Sequence, residues 1–500
     1  MANPSDQVVI IGAGPAGLTA AYELVKHGYR PLVLEKDPRY VGGLARTVQF
    51  NGFRFDIGGH RFFSKSQEIE RLWEEICGQA FIRRTRRSRI LYRGTFFDYP
   101  LEVRNVLRGL GVVESTACIL SYLKSRAAPL SPEASFEDWV VNRFGRRLFE
   151  IFFRTYTEKV WGMPCSEISA DWARQRIKDL SLKEAIGNAL LPKRRHPKGR
   201  VIKTLIDSFR YPRLGPGMMW ELARDRIVAA GGRVEMGRCV TVVRHNGERV
   251  CEIEIRREDG GVEVIPGSHF ISSMPLRNLM LQWEPSPPSE VLQAARNLKY
   301  RDFLVVALVV RGTNPFPDNW IYVHDPSVKV GRIQNFRAWS PEMVPDAART
   351  GLGLEYFCFE NDSLWAMPDS DLIALAAREL EQIGLVRAAD VETGWVVRMP
   401  KTYPVYDGHY EQHVRVIRNF LEQGFPNMQV VGRNGMHKYN NQDHSMMTAL
   451  LAARNIMGGH FDVWRVNTDA EYLEADSEAT QEFRLVPRSR LAIPQKRHAG

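Results

Sequence analysis

The spacing of apolar and polar positions is clearest at the start of the chain. Residues 8–11 form a continuous apolar run, residues 18–27 carry apolar side chains at helical spacing, and residues 31–34 form a second apolar run. Short apolar runs bounded by turn residues are typical of strands buried on both faces. The pattern therefore predicts a strand, a helix and a second, parallel strand within the first 35 residues.

The period of the pattern changes several times along the rest of the chain. Alternation over residues 48–56 reverses at Asn51-Gly52 and predicts a hairpin, and residues 67–77 carry one apolar helical face. Further helices are predicted over 101–126, 136–157 (with Ser135 as N-cap), 172–191, 218–231, 372–383 and 445–457, a basic hairpin over 81–99, and strands over 234–243, 250–256, 262–273, 301–311, 320–323, 332–336, 353–358 and 391–399.

The succession of elements predicts an α/β protein with several interwoven domains, because 500 residues are too many for one hydrophobic core. We expect a Rossmann-like dinucleotide-binding domain, an inserted helical domain and a mixed β-sheet substrate domain. The nucleotide-binding domain is assembled from residues 1–100, 206–290 and 426–465. The inserted domain spans 101–205 with a basic loop at 192–200, the substrate domain spans 291–425, and 466–500 form a basic tail.

Charge and cysteine content narrow the class of protein. The net charge of +10 favours an anionic ligand such as a diphosphate, or an acidic membrane surface. Nucleic acid is not expected, because no basic module with stacking aromatics is present. Six scattered cysteines without a C-x-x-C pair indicate reduced core thiols in a cytoplasmic protein. No signal peptide is predicted before the first strand, and no apolar run reaches the ~18 residues of a membrane span.

The turn after the first strand carries the dinucleotide-binding fingerprint in its required context. Gly12 allows the tight turn, Gly14 lets the backbone approach a pyrophosphate, and Gly17 lets the helix pack closely on the strand. The pyrophosphate then meets the helix N-terminus. Glu35, at the end of the second strand, is expected to accept hydrogen bonds from a ribose hydroxyl.

Two further glycine pairs predict contacts with the same ligand. Residues 42–47 read Gly-Gly-Leu-Ala-Arg-Thr, which indicates a second backbone approach through Gly43, Leu44 and Arg46, although a plain turn fits equally. Residues 58–60 read Gly-Gly-His. The glycines, Gly59 included, let the backbone press on a flat ring that His60 could touch, but a hydrogen-bonded structural histidine is an equal alternative.

Later segments add aromatic and basic candidates. The aromatics of residues 156–162 could stack on a base or a flavin, or simply pack in a core. The loop at 192–200 could close on a diphosphate, or be merely exposed. A buried strand from residue 429, followed by Gly432-Arg433 and a polar helix N-terminus, offers another phosphate site. H-E-x-x-H, Walker and G-x-S-x-G motifs are absent, so neither a metal site nor a serine nucleophile is predicted.

These motifs together resemble a known family. The fingerprint, Gly42-Gly43 and Gly432-Arg433 resemble the FAD-dependent amine oxidase and protoporphyrinogen oxidase group. The intervening motifs resemble UDP-galactopyranose mutase, namely Gly-Gly-His-Arg-Phe-Phe at 58–63, Tyr-Thr-Glu-Lys-Val-Trp-Gly at 156–162, Tyr-Pro-Val-Tyr-Asp at 403–407 and the segment 432–457. The resemblance implies bound FAD, working as the reduced form, with NAD(P)H as a candidate reductant.

The resemblance also implies a reaction and a set of site residues. In that family N5 of the reduced flavin attacks the anomeric carbon of a nucleotide sugar and expels the nucleoside diphosphate, which two arginines clamp, so that pyranose and furanose forms interconvert. The resemblance implies that His60 lies near the flavin. It also implies that Arg332, Tyr403 and Tyr439 surround the diphosphate, and that Tyr156 and Trp161 contact the substrate. Asp407 falls in the same motif as Tyr403, and Arg433 and Asp443 are candidates for flavin-side contacts.

One departure from the family leaves the reaction open. Where the second clamp arginine is expected, this chain has Leu180, so Arg176, Lys178 or the loop arginines are candidates to replace it, unless the leaving group differs. The first hypothesis is a mutase that acts on a nucleoside-diphosphate sugar. The alternative is a net-redox flavoenzyme of the amine oxidase, protoporphyrinogen oxidase or desaturase type. A non-enzymatic flavin sensor has little support, and a homodimer stays open.

Overall fold

The computed structural model describes residues 6–99, 101, 103–170, 172–173 and 208–467. The helix predicted over 172–191, the candidates Arg176, Lys178 and Leu180, the basic loop 192–200 and the basic tail lie wholly or mainly outside these residues.

The described strands follow the chain in this order: β1 (Val8–Ile11), β2 (Leu32–Leu34), β3 (Thr47–Phe50), β4 (Phe53–Asp56), β5 (Phe81–Thr85), β6 (Ser88–Tyr92), β7 (Thr95–Asp98), β8 (Ser208–Pro212), β9 (Arg233–Glu235), β10 (Arg238–His245), β11 (Val250–Arg257), β12 (Val262–Pro266), β13 (His269–Ser272), β14 (Trp283–Glu284), β15 (Tyr300–Arg311), β16 (Trp320–Val323), β17 (Arg332–Asn335), β18 (Arg349–Cys358), β19 (Val391–Pro404) and β20 (Met428–Val430).

The described α-helices are α1 (Pro15–Lys26), α2 (Gln67–Cys77), α3 (Val103–Ala127), α4 (Phe136–Phe144), α5 (Arg146–Phe149), α6 (Thr155–Trp161), α7 (Pro216–Ala229), α8 (Leu276–Leu281), α9 (Ser289–Asn297), α10 (Phe336–Trp339), α11 (Ser363–Ala366), α12 (Asp369–Gln382), α13 (Tyr410–Gly424), α14 (Gly432–Gly435) and α15 (Gln442–Ile456). A π-helical turn, Glu150–Arg154, joins α5 to α6.

The nucleotide-binding layer is a five-stranded parallel sheet in the order β20-β13-β1-β2-β9. Its strands come from distant parts of the chain, as the predicted domain pattern requires. The strand at Val8–Ile11 lies at the centre and is at most 5% exposed, which explains its uninterrupted apolar run. Helices α1 and α15 pack against each other beside this sheet. The predicted α/β class is confirmed.

The predicted mixed sheet is present and has seven strands in the order β19-β15-β18-β17-β16-β6-β7. Neighbouring strands are antiparallel except at β16 and β6, which are parallel. The long strand β15 is buried from Tyr300 to Val310, since other strands flank it and packed layers cover both its faces. A smaller sheet, β12-β11-β10-β14, lies beside the nucleotide-binding layer.

Several local predictions are confirmed. The turn at Asn51-Gly52 joins β3 to β4 with positive φ at both residues, as a tight hairpin turn requires. The apolar face of α2 is buried, and the Ser66 hydroxyl caps its start. Ser135 and Asp138 form a capping box at α4.

Three predictions about residues 81–157 are wrong. The predicted hairpin over 81–99 is only β6–β7, since β5 pairs with β8 instead. Strands β6 and β7 extend the seven-stranded sheet, so the predicted division at residue 100 assigns them to the wrong layer. The helix predicted over 136–157 is interrupted at Gly145, where φ is 83° and the chain changes direction.

The expectation that all six cysteines are core thiols also needs correction. Cys77, Cys118, Cys165 and Cys358 are buried, but Cys239 is exposed and Cys251 is partly exposed; all six are free thiols. One helix of the described chain, Asn105–Ala127, is long and apolar enough to be a candidate membrane span, with a mean hydropathy of 1.3. It passes this test because its short polar residues, such as Ser and Thr, barely lower the mean.

Candidate active site

The fingerprint turn has the geometry that its glycines predict. Gly12 has φ of 98°, which favours glycine, and a Cβ on Gly17 would lie only 1.8 Å from the carbonyl oxygen of Gly12. Helix α1 begins at Pro15, directly after Gly14, so its free N–H groups face the turn. These features leave a backbone cradle at the positive end of the helix dipole.

Glu35 closes the same cradle from the end of β2. Its two carboxylate oxygens accept hydrogen bonds from the backbone N–H groups of Ala13 (2.7 Å) and Asp37 (2.9 Å). Burial raises the pKa of Glu35, and these two bonds oppose that shift. Glu35, which is predicted to bind the ribose, therefore also fixes the turn. Its carboxylate oxygens keep lone pairs that can accept a hydrogen bond from a ribose hydroxyl.

The second glycine turn packs directly on the first. A Cβ on Gly43 would lie 3.2 Å from Cα of Gly14. Arg46 forms an ion pair with Asp37 at 2.6 Å, while its Nε is buried without a hydrogen-bond partner within the described chain. The buried Nε2 of Gln442 is likewise unpartnered there. Unpaired donors beside a glycine cradle are the arrangement that an anionic dinucleotide would complete.

The segment Gly432-Arg433, near the other end of the chain, also packs against the first turn of α1. Gly432 has φ of 81°, and a Cβ there would lie 3.1 Å from Cβ of Ala16, in the first turn of α1. Asp443, near the start of α15, accepts a hydrogen bond from the Ser64 hydroxyl at 3.0 Å. Segments from both ends of the chain therefore converge on one binding region.

His60 is firmly hydrogen-bonded. Its Nε2 lies 2.9 Å from the carbonyl oxygens of both Leu44 and Ile57. Burial lowers the pKa of His60 to about 4, so the ring is neutral at physiological pH and donates its Nε2 proton to these carbonyls. The bond to Leu44 ties the Gly-Gly-His motif to the Gly42-Gly43 turn, which gives the histidine at least a structural role.

The next layer of the site is a cross-strand row on the substrate sheet. Arg332 on β17 lies directly opposite Tyr322 on one side and Glu355 on the other. Its Nε donates to Glu355 at 2.6 Å, and Nη2 completes the ion pair. Burial lowers the pKa of Arg332, but the Glu355 carboxylate outweighs that effect, so the pKa lies well above its ordinary value and the guanidinium stays charged.

The Gly58-Gly59 backbone presses on this row. A Cβ on Gly58 would lie 3.8 Å from Nη2 of Arg332, and one on Gly59 would lie 3.0 Å from Nε2 of Gln334. Gln334 donates to Glu355 at 2.8 Å and accepts from the Trp339 indole N–H. These glycines therefore pack against side chains of the seven-stranded sheet, and their approach to a flat ring stays a prediction.

An aromatic cluster made of Trp161, Trp172, Tyr403 and Tyr439 lies beside the arginine row. The Tyr403 and Tyr439 rings stack at 5.6 Å, Trp161 lies 6.2 Å from Tyr439, and Trp172 packs edge-on against both Trp161 and Tyr439. Arg433 lies over the Tyr439 ring at 4.8 Å and over Tyr403 at 5.3 Å. Burial raises the pKa of Tyr403 to about 12.

Tyr156 links this cluster to the arginine row. Its ring stacks on His324 at 4.9 Å and meets Tyr322 edge-on. Burial raises the pKa of Tyr156 well above its ordinary value, and the nearby Arg332 opposes that shift. Tyr156 is therefore a neutral hydroxyl beside a fixed cation.

The structure brings together most of the predicted substrate residues, although they come from distant segments. Asp407 is instead engaged with the exposed Lys299 at 3.2 Å. Arg176 lies outside the described residues. Groups of acids, histidines and cysteines suited to a metal ion are not found in the part of the chain that the structure describes.

Sequence reasoning missed Glu355, Trp172 and Lys159. Glu355 is fully buried, and the signal that could have found it is a single acid within the apolar strand 352–358. Lys159 sits between Tyr156 and Trp161 in the most specific motif. Its ammonium donates to the carbonyls of Val323, Asp325 and Val330, which fastens α6 to the loop before Arg332.

Comparison with known proteins identifies the family. The sequence matches the Flavin containing amine oxidoreductase family over residues 15–457, and the chain belongs to that family. A crystal structure of reduced UDP-galactopyranose mutase superposes with a TM-score of 0.79 at 25% identity, covering 93% of this chain and 99% of that one. A putative protoporphyrinogen oxidase from Exiguobacterium shares the fold, with a TM-score of 0.68 at 17% identity over 91% of this chain and 99% of that one.

Curated relatives align over shorter segments. A probable UDP-galactopyranose mutase of Klebsiella pneumoniae is 26% identical over 169 residues, 33% of this chain and 43% of that protein. A 1-hydroxycarotenoid 3,4-desaturase of a Flavobacterium species is 32% identical over 103 residues, 20% of this chain and 21% of that protein. The alignments thus cover less than half of either relative.

The protein is accordingly an FAD-dependent enzyme of the amine oxidase family with a fold like that of UDP-galactopyranose mutase. The cradle of Gly12, Gly14, Gly43 and Gly432, with the unpaired donors of Arg46 and Gln442, fits the cofactor that this family requires.

Proposed function

We propose that the protein interconverts the pyranose and furanose forms of a nucleoside-diphosphate sugar. The observation that carries this proposal is that Arg332, Tyr156, Tyr403 and Tyr439 lie close together, with the Gly58-Gly59 backbone beside Arg332. The likeness to a UDP-galactopyranose mutase over 93% of the chain supports it further.

Reduced flavin would supply a nucleophile for the anomeric carbon. The fingerprint glycines and Glu35 would hold its dinucleotide portion, with Arg46 and Gly432 completing the cradle. His60, being neutral, would hold the Gly42-Gly43 turn in place and exchange no proton near neutral pH.

Arg332 would stabilise the diphosphate that leaves. Glu355 holds its Nε and Nη2, which leaves Nη1 outside this ion pair. Arg433 adds a second cation over the Tyr403 and Tyr439 rings. Charge-assisted bonds from such groups favour an anionic leaving group over a neutral one.

Tyr403, Tyr439 and Tyr156 would orient the substrate through their hydroxyl groups. Burial raises the pKa of Tyr403 to about 12 and that of Tyr156 well above its ordinary value, so neither serves as a base near neutral pH. Trp161 and Trp172 would exclude water from the reacting centre.

One observation favours the net-redox alternative. The Glu355 carboxylate compensates the charge of Arg332, and the surrounding aromatic rings would suit an apolar or amine substrate. In that case the substrate would reduce the oxidised flavin, and an electron acceptor would be required for further turnover.

The experiment that separates these reactions compares the two redox states of the enzyme. Purified enzyme is reduced anaerobically with dithionite and supplied with UDP-galactopyranose and other nucleotide sugars, with no electron acceptor. We expect a furanose product from the reduced enzyme and none from the oxidised enzyme. Absence of product together with absence of UDP binding would refute the mutase proposal.

The role of Arg332 has its own test. Arg332→Ala should lower kcat/KM at least ~10²-fold, because a charge-assisted clamp on the leaving group is lost. An unchanged kcat/KM with retained flavin would exclude Arg332 from the site.

A further inference from the structure

Helix α3 turns its large apolar side chains outward and its small polar ones inward. Val112 and Val113 are 84% and 87% exposed, and Ile119, Leu120 and Leu123 continue the same stripe at helical spacing. The buried positions of this helix are Ser115, Cys118 and Ser125. A surface helix of a soluble protein has the opposite arrangement.

The exposed apolar residues of the described chain concentrate here. Of twelve exposed large apolar residues, eight lie between residues 101 and 130. Contiguous apolar patches of this kind mark an interaction surface rather than ordinary scatter. We call this surface, made of Val112, Val113, Ile119, Leu120 and Leu123, the outer face of α3.

The inner face of α3 is fastened to the protein by specific contacts. Glu114 pairs with Arg147, whose Nη2 lies 2.9 Å from the carboxylate, and the Arg147 backbone N–H donates to the Ser121 hydroxyl at 3.1 Å. Gly145 approaches the backbone of Tyr122 so closely that a Cβ there would lie 2.6 Å from its nitrogen. The outward orientation of the apolar stripe is therefore fixed by packing on α4 and α5.

The shape of α3 argues against a transmembrane span. Gly111 has φ of 75° and ψ of 172°, which breaks the helix into two parts. The part after the break, residues 112–127, is about 24 Å long at ~1.5 Å per residue, which is shorter than the ~30 Å hydrocarbon core of a bilayer. With one face held by the protein, this part can only lie along a surface.

The exposed charges on α3 itself have one sign between residues 105 and 130. Between residues 105 and 130 the exposed charged side chains are Arg108, Lys124 and Arg126, all cationic. The acid in this range, Glu114, is engaged with Arg147. An apolar stripe flanked by cations is complementary to a membrane whose headgroups are anionic.

The same charges disfavour a second copy of this chain as the partner. In a two-fold symmetric contact each copy presents the same surface. Arg108, Lys124 and Arg126 of one copy would then meet the same cations of the other, with no free acid on this face to pair with them.

We propose that the outer face of α3 docks the enzyme onto an anionic lipid surface. The apolar stripe enters the boundary between headgroups and acyl chains, and the flanking cations contact the anionic headgroups. This interaction is independent of the reaction proposed for the active site, so it holds for a mutase and for a net-redox enzyme alike.

Cosedimentation with vesicles tests the docking surface. We expect the flavin-loaded protein to bind vesicles of phosphatidylcholine and phosphatidylglycerol, and to bind phosphatidylcholine alone much more weakly. The double variant Val113→Glu, Leu120→Glu should weaken binding at least ~10-fold, because two acids replace apolar anchors beside anionic lipid. The double variant Lys124→Glu, Arg126→Glu should weaken it too and abolish its salt dependence.

A matched control places the same acids on another exposed apolar pair. Val262→Glu, Val264→Glu on β12 should leave vesicle binding unchanged. Flavin content and Tm of every variant report folding. Absence of vesicle binding, or binding that Val113→Glu, Leu120→Glu leaves intact, would overturn the proposal. The proposal would also be overturned if light scattering showed a dimer that Val113→Glu, Leu120→Glu dissociates. A second copy of the chain would then cover the outer face of α3.

Discussion

Substitution of Glu355 tests how the charge of Arg332 is held. Glu355 is fully buried and contacts two nitrogens of the guanidinium, whose side chain is itself 17% exposed. Glu355→Gln keeps the shape and a hydrogen-bond acceptor but removes the negative charge. The variant then carries a largely buried cation with no counter-ion.

Two opposite effects follow from that change. Breaking a buried ion pair by removing one partner costs ~3–5 kcal/mol of stability. Binding of an anion should improve, because one negative charge leaves the pocket. For an anion about 7 Å from that carboxylate, and an effective dielectric constant of about 20, the repulsion removed is about 2 kcal/mol, or roughly 30-fold in Kd.

The assay is calorimetric. UDP binding to the flavin-loaded protein gives Kd, and the Tm with and without UDP gives the stability and its recovery by ligand. We expect a lower Tm without UDP, a tighter Kd, and a larger rise in Tm on adding UDP than in the wild type.

The matched control is Asp318→Asn. Asp318 is also fully buried and pairs with Nε (2.9 Å) and Nη2 (2.6 Å) of Arg89. Arg89 on β6 lies opposite Ile321, whereas Arg332 lies opposite the next residue, Tyr322. Because neighbouring residues of a strand point to opposite faces, Arg89 and Arg332 lie on opposite faces of the sheet. Asp318→Asn should lose similar stability without any change in UDP affinity. A Glu355→Gln variant whose UDP affinity is unchanged, or weaker, would refute the assignment of Arg332 to an anion site.

Three further substitutions test the surrounding structure. Burial raises the pKa of Asp56 from its ordinary 3.8 to about 7, so the folded state keeps a proton that the unfolded state loses. The free energy of unfolding therefore falls as pH rises from about 4 to 7, by up to ~4 kcal/mol. Asp56→Asn should flatten the dependence of Tm on pH over that range, and an equally steep dependence would refute this role of Asp56. Lys159→Met should lower the free energy of unfolding by ~2–4 kcal/mol, because three backbone carbonyls lose their hydrogen-bond donor. It should also lower kcat/KM while the flavin is retained. An unaltered Tm would show that water replaces the ammonium. Gly14→Val should abolish the yellow colour of the purified protein, because a side chain at this position would block the approach of the backbone to the pyrophosphate. A fully loaded variant would contradict the cradle.

The elements that sequence predicted well are those whose signals are local. The strand, turn and helix of the fingerprint follow from an apolar run, Gly12 and the proline at the first helical position. Helix α2 follows from one apolar face and its Ser66 cap. In each case the residues that determine the element lie within the element itself.

The errors arise where distant segments decide the outcome. Strand β5 pairs with β8, more than a hundred residues later, so no local hairpin signal could reveal it. The break at Gly145 is needed because the helix must pass close to Tyr122, a contact that is tertiary. Similarly, the family resemblance implied Arg332, but its partner Glu355 becomes visible only when β17 and β18 are set in register.

In the proposed reaction the flavin is still reduced after each turnover, and the absorbance spectrum recorded during turnover is a direct measure of this. Dithionite-reduced enzyme is mixed anaerobically with UDP-galactopyranose in large excess, and product and flavin spectrum are recorded together. The account predicts many product molecules per flavin while the spectrum at the end remains that of reduced flavin. Oxidised flavin appearing in proportion to product, or turnover only when an electron acceptor is added, would contradict it.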